Sequence, residues 1–296
     1  MKYSIKFFIF TFVGVCYINL AQSQVVRDAT NETIISAKLQ VPHGMPDRDV
    51  SKMTIIDSSK IKAWYAINAE DIKNPDTYTD WYCLEIGSRM SSYYSYFLFR
   101  ADSVDEAITK AKGRQQGSFN PCPWARRPSW HEFHYSFVFK DLATQTLTVY
   151  TGMPRMTPEL WYHDKTATQD WVIQNDTETV AGYLCQKATC NFRGRNYEAW
   201  FALDIPINNG PWKFGGLPGL ILKIYDMDNL HVLECTHIDF FQHAYPVKKH
   251  EFTTYIETSH DKFRKLIKDI YDDYSRSAGI TGWPYKGATY DFWELK

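Results

Sequence analysis

Gly210-Pro211-Trp212-Lys213-Phe214-Gly215-Gly216-Leu217-Pro218-Gly219-Leu220-Ile221-Leu222-Lys223-Ile224 is the stretch on which the fold turns. Gly215 and Gly216 permit positive φ, and Pro218-Gly219 suits a type II turn, proline fixing φ and glycine taking the left-handed position. Beyond the turn Leu220, Leu222 and Ile224 alternate with Ile221, Lys223 and Tyr225, the period of a strand. A glycine-rich loop also suits phosphate, but no Gly-Lys-Ser/Thr follows, and a strand offers none of the amides that a helix N-terminus would supply. Gly215, Gly216, Leu217, Pro218, Gly219, Leu220 and Ile221 are therefore read as a fold determinant that drives the chain sharply into a strand.

Working outward, short β segments joined by polar turns dominate. Ile61, Ala63, Tyr65 and Ile67 alternate with Lys62, Trp64 and Ala66 as in a half-buried strand, and Trp81 to Ile86 returns beyond the turn-forming Asn74-Pro75-Asp76. Further strands are expected at Tyr93–Phe99, His131–Phe139, Thr146–Tyr150, Leu160–Tyr162, Asp170–Ile173, Val180–Ala188 and Tyr197–Leu203. No helical crossover long enough for a parallel sheet intervenes, so the reading is mainly β, an antiparallel meander. Ser103 and Glu106 have the spacing of a capping box and predict a short helix over about 104–112. Phe263, Leu266, Ile267, Ile270 and Tyr274 recur at helical spacing and predict an amphipathic helix over about 259–274 that packs on the sheet.

The N-terminus has a separate logic. Lys2 and Lys6 precede an apolar run from Phe7 to Ile18, which closes on Ala21-Gln22-Ser23. That predicts a cleavable signal peptide over 1–23 and a mature chain from Gln24 to Lys296 that forms a single globular domain. The run is shorter than the roughly twenty residues a spanning helix needs, so no transmembrane segment is expected in the mature chain. Val15 before Cys16 is not the small neighbour of a lipid-modified cysteine. Losing Lys2 and Lys6 takes the 33 basic residues to 31 against 34 acidic ones, a formal charge of −3. No basic stripe remains, which excludes nucleic acid as the expected partner. The aromatic share of 16% suits large pleated surfaces. Cys83, Cys122, Cys185, Cys190 and Cys235 remain, an odd number whose spacings match no zinc pattern and whose pairing, if any, the sequence leaves open.

Gly216-Leu217-Pro218-Gly219-Leu220-Ile221 resembles the hexapeptide for which the GLPGLI family of Bacteroidetes exported proteins is named. The run Ala181 to Ala188, then Phe192-Arg193-Gly194-Arg195-Asn196-Tyr197-Glu198-Ala199-Trp200-Phe201 and Ile205-Pro206-Ile207, is similar to that family's approach to the hexapeptide, and Leu84-Glu85-Ile86-Gly87 to its N-terminal motif. The resemblance covers about 180–226 closely and 60–180 loosely. It implies an exported protein of the periplasm or outer membrane, of uncharacterised activity, with no catalytic residues to carry over. It also implies, by analogy, a curved antiparallel sheet or half-barrel of the lipoprotein-carrier type closed by helices.

Residues with chemistry are sparse. His131 and His134 lack one residue of the i, i+4 zincin spacing and fall on opposite faces of the expected strand; His231 and His237 share a face but stand six residues apart. No metal site and no cofactor follow. Cys122, between two prolines, with His131 or His134 near it in sequence, supports a metal-dependent or cysteine hydrolase as the alternative. The favoured reading is non-catalytic: a binding or accessory module for an envelope protein, a peptide or a lipidic group. Arg195, Tyr197, Trp200 and Trp212 are its candidate binding residues, a guanidinium beside aromatic rings being suited to a carboxylate or phosphate.

Overall fold

The computed structural model describes residues 52–100, 102, 103, 107, 136–152, 159–166, 169–272 and 294. Its strands are β1 (Met53–Ile67), β2 (Asp80–Gly87), β3 (Met90–Ser95), β4 (Ser136–Asp141), β5 (Thr146–Thr151), β6 (Leu160–Lys165), β7 (Val172–Val180), β8 (Tyr183–Phe192), β9 (Arg195–Ala202), β10 (Leu220–Asp226), β11 (Val232–His250) and β12 (Ile256–Glu257). They form one sheet in the order β12-β6-β5-β4-β3-β2-β1-β11-β10-β9-β8-β7. Two sequential meanders, β1 to β6 and β7 to β11, are thus joined where the long strands β1 and β11 pair. Every pairing is antiparallel except that of β12 with β6. The expected mainly β, curved open sheet is what the chain builds.

The curvature has local causes. β1 slips register against β11 between Ile55 and Asp57, Ser59 and Ile61, and Trp64 and Tyr65, and such bulges bend and twist a strand. Gly87, in the expected N-terminal motif, makes room for a carboxylate: a Cβ there would lie 2.4 Å from Asp57 Oδ2. Burial raises the Asp57 carboxyl, but bonds donated by the Met90, Arg89 and Ser58 amides outweigh it and hold the group below its usual range.

Several boundaries differ from the sequence reading. Val180 ends β7, and Ala181-Gly182 turns at φ 49° and 85° before β8 starts at Tyr183; this tight hairpin splits the expected Val180–Ala188 strand. Helix begins at residue 96, inside the expected Tyr93–Phe99 strand, because the Leu98 amide donates to Ser95 Oγ at 3.0 Å. Ser103 is therefore not an N-cap: its hydroxyl donates back to Phe99 O at 2.8 Å. Residues 131–135 and most of 104–112 lie outside the described residues. The C-terminal helix spans His260–Asp272.

The strand ending at Ile67 is not half-buried as its alternation implies, for Ala63 to Ile67 are all buried. Both faces of the central strands are covered. On the concave face Tyr65, Tyr82, Leu84, Tyr93, Val138 and Val149 pack with Phe263 and Ile267 of the C-terminal helix. On the other face Phe137, Phe139 and Tyr150 pack against Leu98, Phe252 and Tyr255.

Candidate functional site

The loop between β9 and β10 lies in the concave face. Trp212, Phe214 and Leu217 are buried there with Phe192, Tyr197 and Phe201, the Phe214 ring 4.9 Å from Tyr197 and 5.3 Å from Trp212. The loop holds itself: the Phe214 amide donates to Pro211 O, the Leu220 amide to Ile205 O and the Ile221 amide to Asn209 O. Gln169 and Trp171 clamp it from outside, Gln169 Nε2 donating to Lys213 O and Trp171 Nε1 to Gly215 O.

The glycines work differently from the expectation. Gly216 does lie at φ 87°, but Gly215 and Gly219 are not left-handed; the strained non-glycine residue of the loop is Trp212, at φ 49°. Gly219 is needed for close approach, since a Cβ there would sit 2.1 Å from Ala202 O and 2.6 Å from Ala202 C. Ala202 ends β9 where β10 begins, and no side chain fits between the two backbones.

Two buried lysines hold the loop from opposite sides. Lys140, inward on β4, donates to Asn209 Oδ1 at 2.9 Å, Gly210 O at 2.8 Å and Phe214 O at 2.6 Å. Three acceptors match the three hydrogens of an ammonium, while burial pushes the amine down to about 7. Lys213, from the loop itself, bonds to Glu294 Oε1 at 2.7 Å and lies 3.9 Å from Asp164 Oδ2. Its amine stands 5.3 Å from the Tyr162 ring centroid and 5.0 Å from that of Trp212.

Glu294 is the centre of a charged cluster. Its Oε1 also accepts from Arg193 Nη1 at 2.8 Å, and its Oε2 lies 2.6 Å from His260 Nε2. Arg193 occupies the β8–β9 turn at φ 47°, next to Gly194 at φ 89°, and its Nη2 pairs with Asp164. Burial disfavours the charged form of Glu294, yet Lys213, His260 and Arg193 together hold its carboxyl well below the ordinary range. Burial lowers Lys213, with Glu294 opposing the shift.

The four candidate binding residues are not brought together. Arg195 is buried and pairs with Asp226 Oδ2 at 3.1 Å and Asp228 Oδ2 at 3.7 Å. Tyr197 and Trp212 lie within the core, each against Phe192 and Phe214. Trp200, three residues from Tyr197 on the same strand, turns to the other face. There Lys187 Nζ lies 5.7 Å from its ring, and Glu198 pairs with Lys187 and accepts from the Tyr225 hydroxyl. Of the cysteines, Cys83, Cys185, Cys190 and Cys235 are free and buried. Burial raises Cys185 to about 11 and Cys190 to about 12, and it also raises Cys83 and Cys235, leaving protonated and poorly nucleophilic thiols. His131, His134 and Cys122 lie outside the described residues. Among the described residues no three His, Cys, Asp or Glu side chains form a metal-binding group, and no helix is long and apolar enough to cross a membrane.

A family model described as a protein of unknown function, Porph_ging, and associated with Bacteroidetes matches residues 193–223, from Arg193 through the loop to Lys223. No curated protein matches the chain. Among solved structures, PNGF-II in its P21 crystal form is similar at 16% identity and TM-score 0.44, over 73% of this chain and 34% of that one. Its C2 form gives 15% identity and TM-score 0.43 over the same shares. This chain thus spans about a third of the length of that protein.

Proposed function

We propose that the protein is an exported, non-catalytic binding module of the cell envelope, a GLPGLI-type domain over 24–296 freed from its signal peptide after Ser23, which takes an extended peptide along the outer edge of β7. The filling of the concave face carries this reading. A half-barrel carrier would hold its ligand on that face, and here Trp212, Phe214 and Leu217 occupy it. Binding then moves to the sheet's margin. β7 ends the strand order and pairs, among the described residues, with β8 alone. Natural edges are blunted by lysine or proline. Val172–Val180 contains neither, and Val172 and Ile173 are 63% and 48% exposed. The strand carries Asp176 and no cation, its Glu178 being paired with Lys223, so the fitting peptide alternates apolar residues with a basic one while its backbone extends the ladder. Arg195, Tyr197, Trp200 and Trp212 contribute to this module through the packing of β9 and its loop and not through contact with the peptide.

Selection of random displayed peptides on the mature protein tests the proposal. Binders should show that alternation and lose at least tenfold in affinity on a V172K/I173K variant. Peptides that bind parent and variant alike would remove β7 from the account, and cleavage of the selected peptides would favour the hydrolase.

A further inference from the structure

We infer that Arg193, Lys213 and His260 form a binding site for an anionic oxygen group, a carboxylate or a phosphate, which the chain's own Glu294 occupies in cis. This site uses no residue of β7, so it stands or falls apart from the peptide edge.

Three donors from three separate elements converge on one carboxylate: Arg193 from the β8–β9 turn, Lys213 from the loop and His260 from the first residue of the C-terminal helix. Both carboxylate oxygens are engaged, Oε1 at 2.7 and 2.8 Å and Oε2 at 2.6 Å. His260 Nε2 stands 2.6 Å from Glu294 Oε2 and 2.7 Å from Arg193 Nη1, so the imidazole lies between the guanidinium and the carboxylate and bonds to whichever its tautomer permits. Guanidinium, ammonium and imidazole around one planar anion is a recognition geometry suited equally to carboxylate and phosphate oxygens.

The receiving half is held without Glu294. Arg193 is fixed by its turn and by Asp164. Lys213 is pinned at its carbonyl by Gln169 and lies over the Tyr162 and Trp212 rings. His260 packs against Tyr162 at 5.3 Å. Glu294 comes from beyond the C-terminal helix, 81 residues from Lys213 and 101 from Arg193. Withdrawing it leaves Arg193 and Lys213 facing the single carboxylate of Asp164, and removes the partner that opposes the burial of Lys213, so the site costs free energy until an anion enters. Glu294 is therefore an internal competitor, and a ligand with an anionic oxygen group gains entry by displacing its carboxylate.

The full-length mature protein and an E294Q variant, which keeps the shape and removes the charge, test this by calorimetric titration with inorganic phosphate and with acetate. E294Q should bind at least one of the two at least tenfold more tightly than the parent, and adding K213M should abolish the gain. The anion that binds identifies the ligand chemistry. Equal or absent binding in parent and E294Q would overturn the inference, as would an E294Q protein whose lowered melting temperature neither anion raises. If E294Q does not fold, the parent still decides: phosphate should raise its melting temperature relative to chloride at equal ionic strength, and an unchanged melting temperature would overturn the inference.

Discussion

The two sides of the β9–β10 loop are each secured by a lysine sunk in the core, and they differ in what the lysine meets. On the β4 side, Lys140 finds only neutral oxygens, two of them carbonyls of the loop itself. On the β6 and β8 side, Lys213 finds Glu294, with Arg193, Asp164 and His260 around it. A buried ammonium is thus tolerated in two ways, by full hydrogen bonding or by ion pairing. The first cannot be exchanged, since its acceptors belong to the loop. The second depends on a carboxylate from a distant segment, and an anion from outside can replace it.

The largest effect expected of any substitution comes from erasing both sides at once. Gly219→Val places a branched side chain where a Cβ would already sit 2.1 Å from Ala202 O, and backbone on both flanks leaves no room to yield. A loss of about 3 kcal/mol or more is expected in urea unfolding, at the upper end of overpacking costs. An unchanged midpoint would mean that β9 and β10 do not approach as described.

The lysines should then separate. Lys213→Met breaks a buried ion pair and should cost about 3 kcal/mol. Because the Glu294 carboxyl is held below its unfolded value, its contribution is complete above the ordinary carboxylate range and is lost as pH falls through the folded value. Unfolding of Lys213→Met followed from pH 6 to pH 3 should show a smaller share of that acid-sensitive stability. Lys140→Met should cost less, about 1–2 kcal/mol, since three acceptors lose their donor but the burial of a charge is relieved. Its signature lies at the other end of the scale. The folded amine titrates at about 7 and the unfolded one at its ordinary 10.5, so between these values the unfolded chain binds more protons. The contribution of Lys140 to stability therefore rises with pH across that window. The raised cysteines act alike in parent and variant, so the stability of the parent relative to Lys140→Met should grow from pH 7 to 10, and a constant difference would contradict this account of Lys140.

Much of the sheet could be read in advance from alternation, and the C-terminal helix from its apolar spacing, because both signals are local. Gly219 was legible as important but for the wrong reason: proline-glycine suggests a left-handed turn, whereas the constraint comes from a carbonyl seventeen residues earlier on another strand. Lys140 gave no signal. In Phe137-Val138-Phe139-Lys140-Asp141 a lone lysine reads as the polar member of an alternating strand, and it is buried only because residues 209–214 settle above it. The cluster on Glu294 was equally hidden, since its five members come from a strand, a turn, a loop, a helix start and a position beyond that helix. Ala181-Gly182 does not read as a hairpin turn in the sequence because it lacks the commoner Asn-Gly or Asp-Gly pair.

The central claim is that the concave face is closed by a permanent plug. Native-state hydrogen exchange at the Phe214, Leu220 and Ile221 amides, all bonded within the loop region, tests it most directly. The account predicts that they exchange only through global unfolding, with the same free energy as the β9 amide of Phe201. Opening of these three amides well below that value, with β9 still protected, would make the loop a lid and return the concave face to the list of ligand sites.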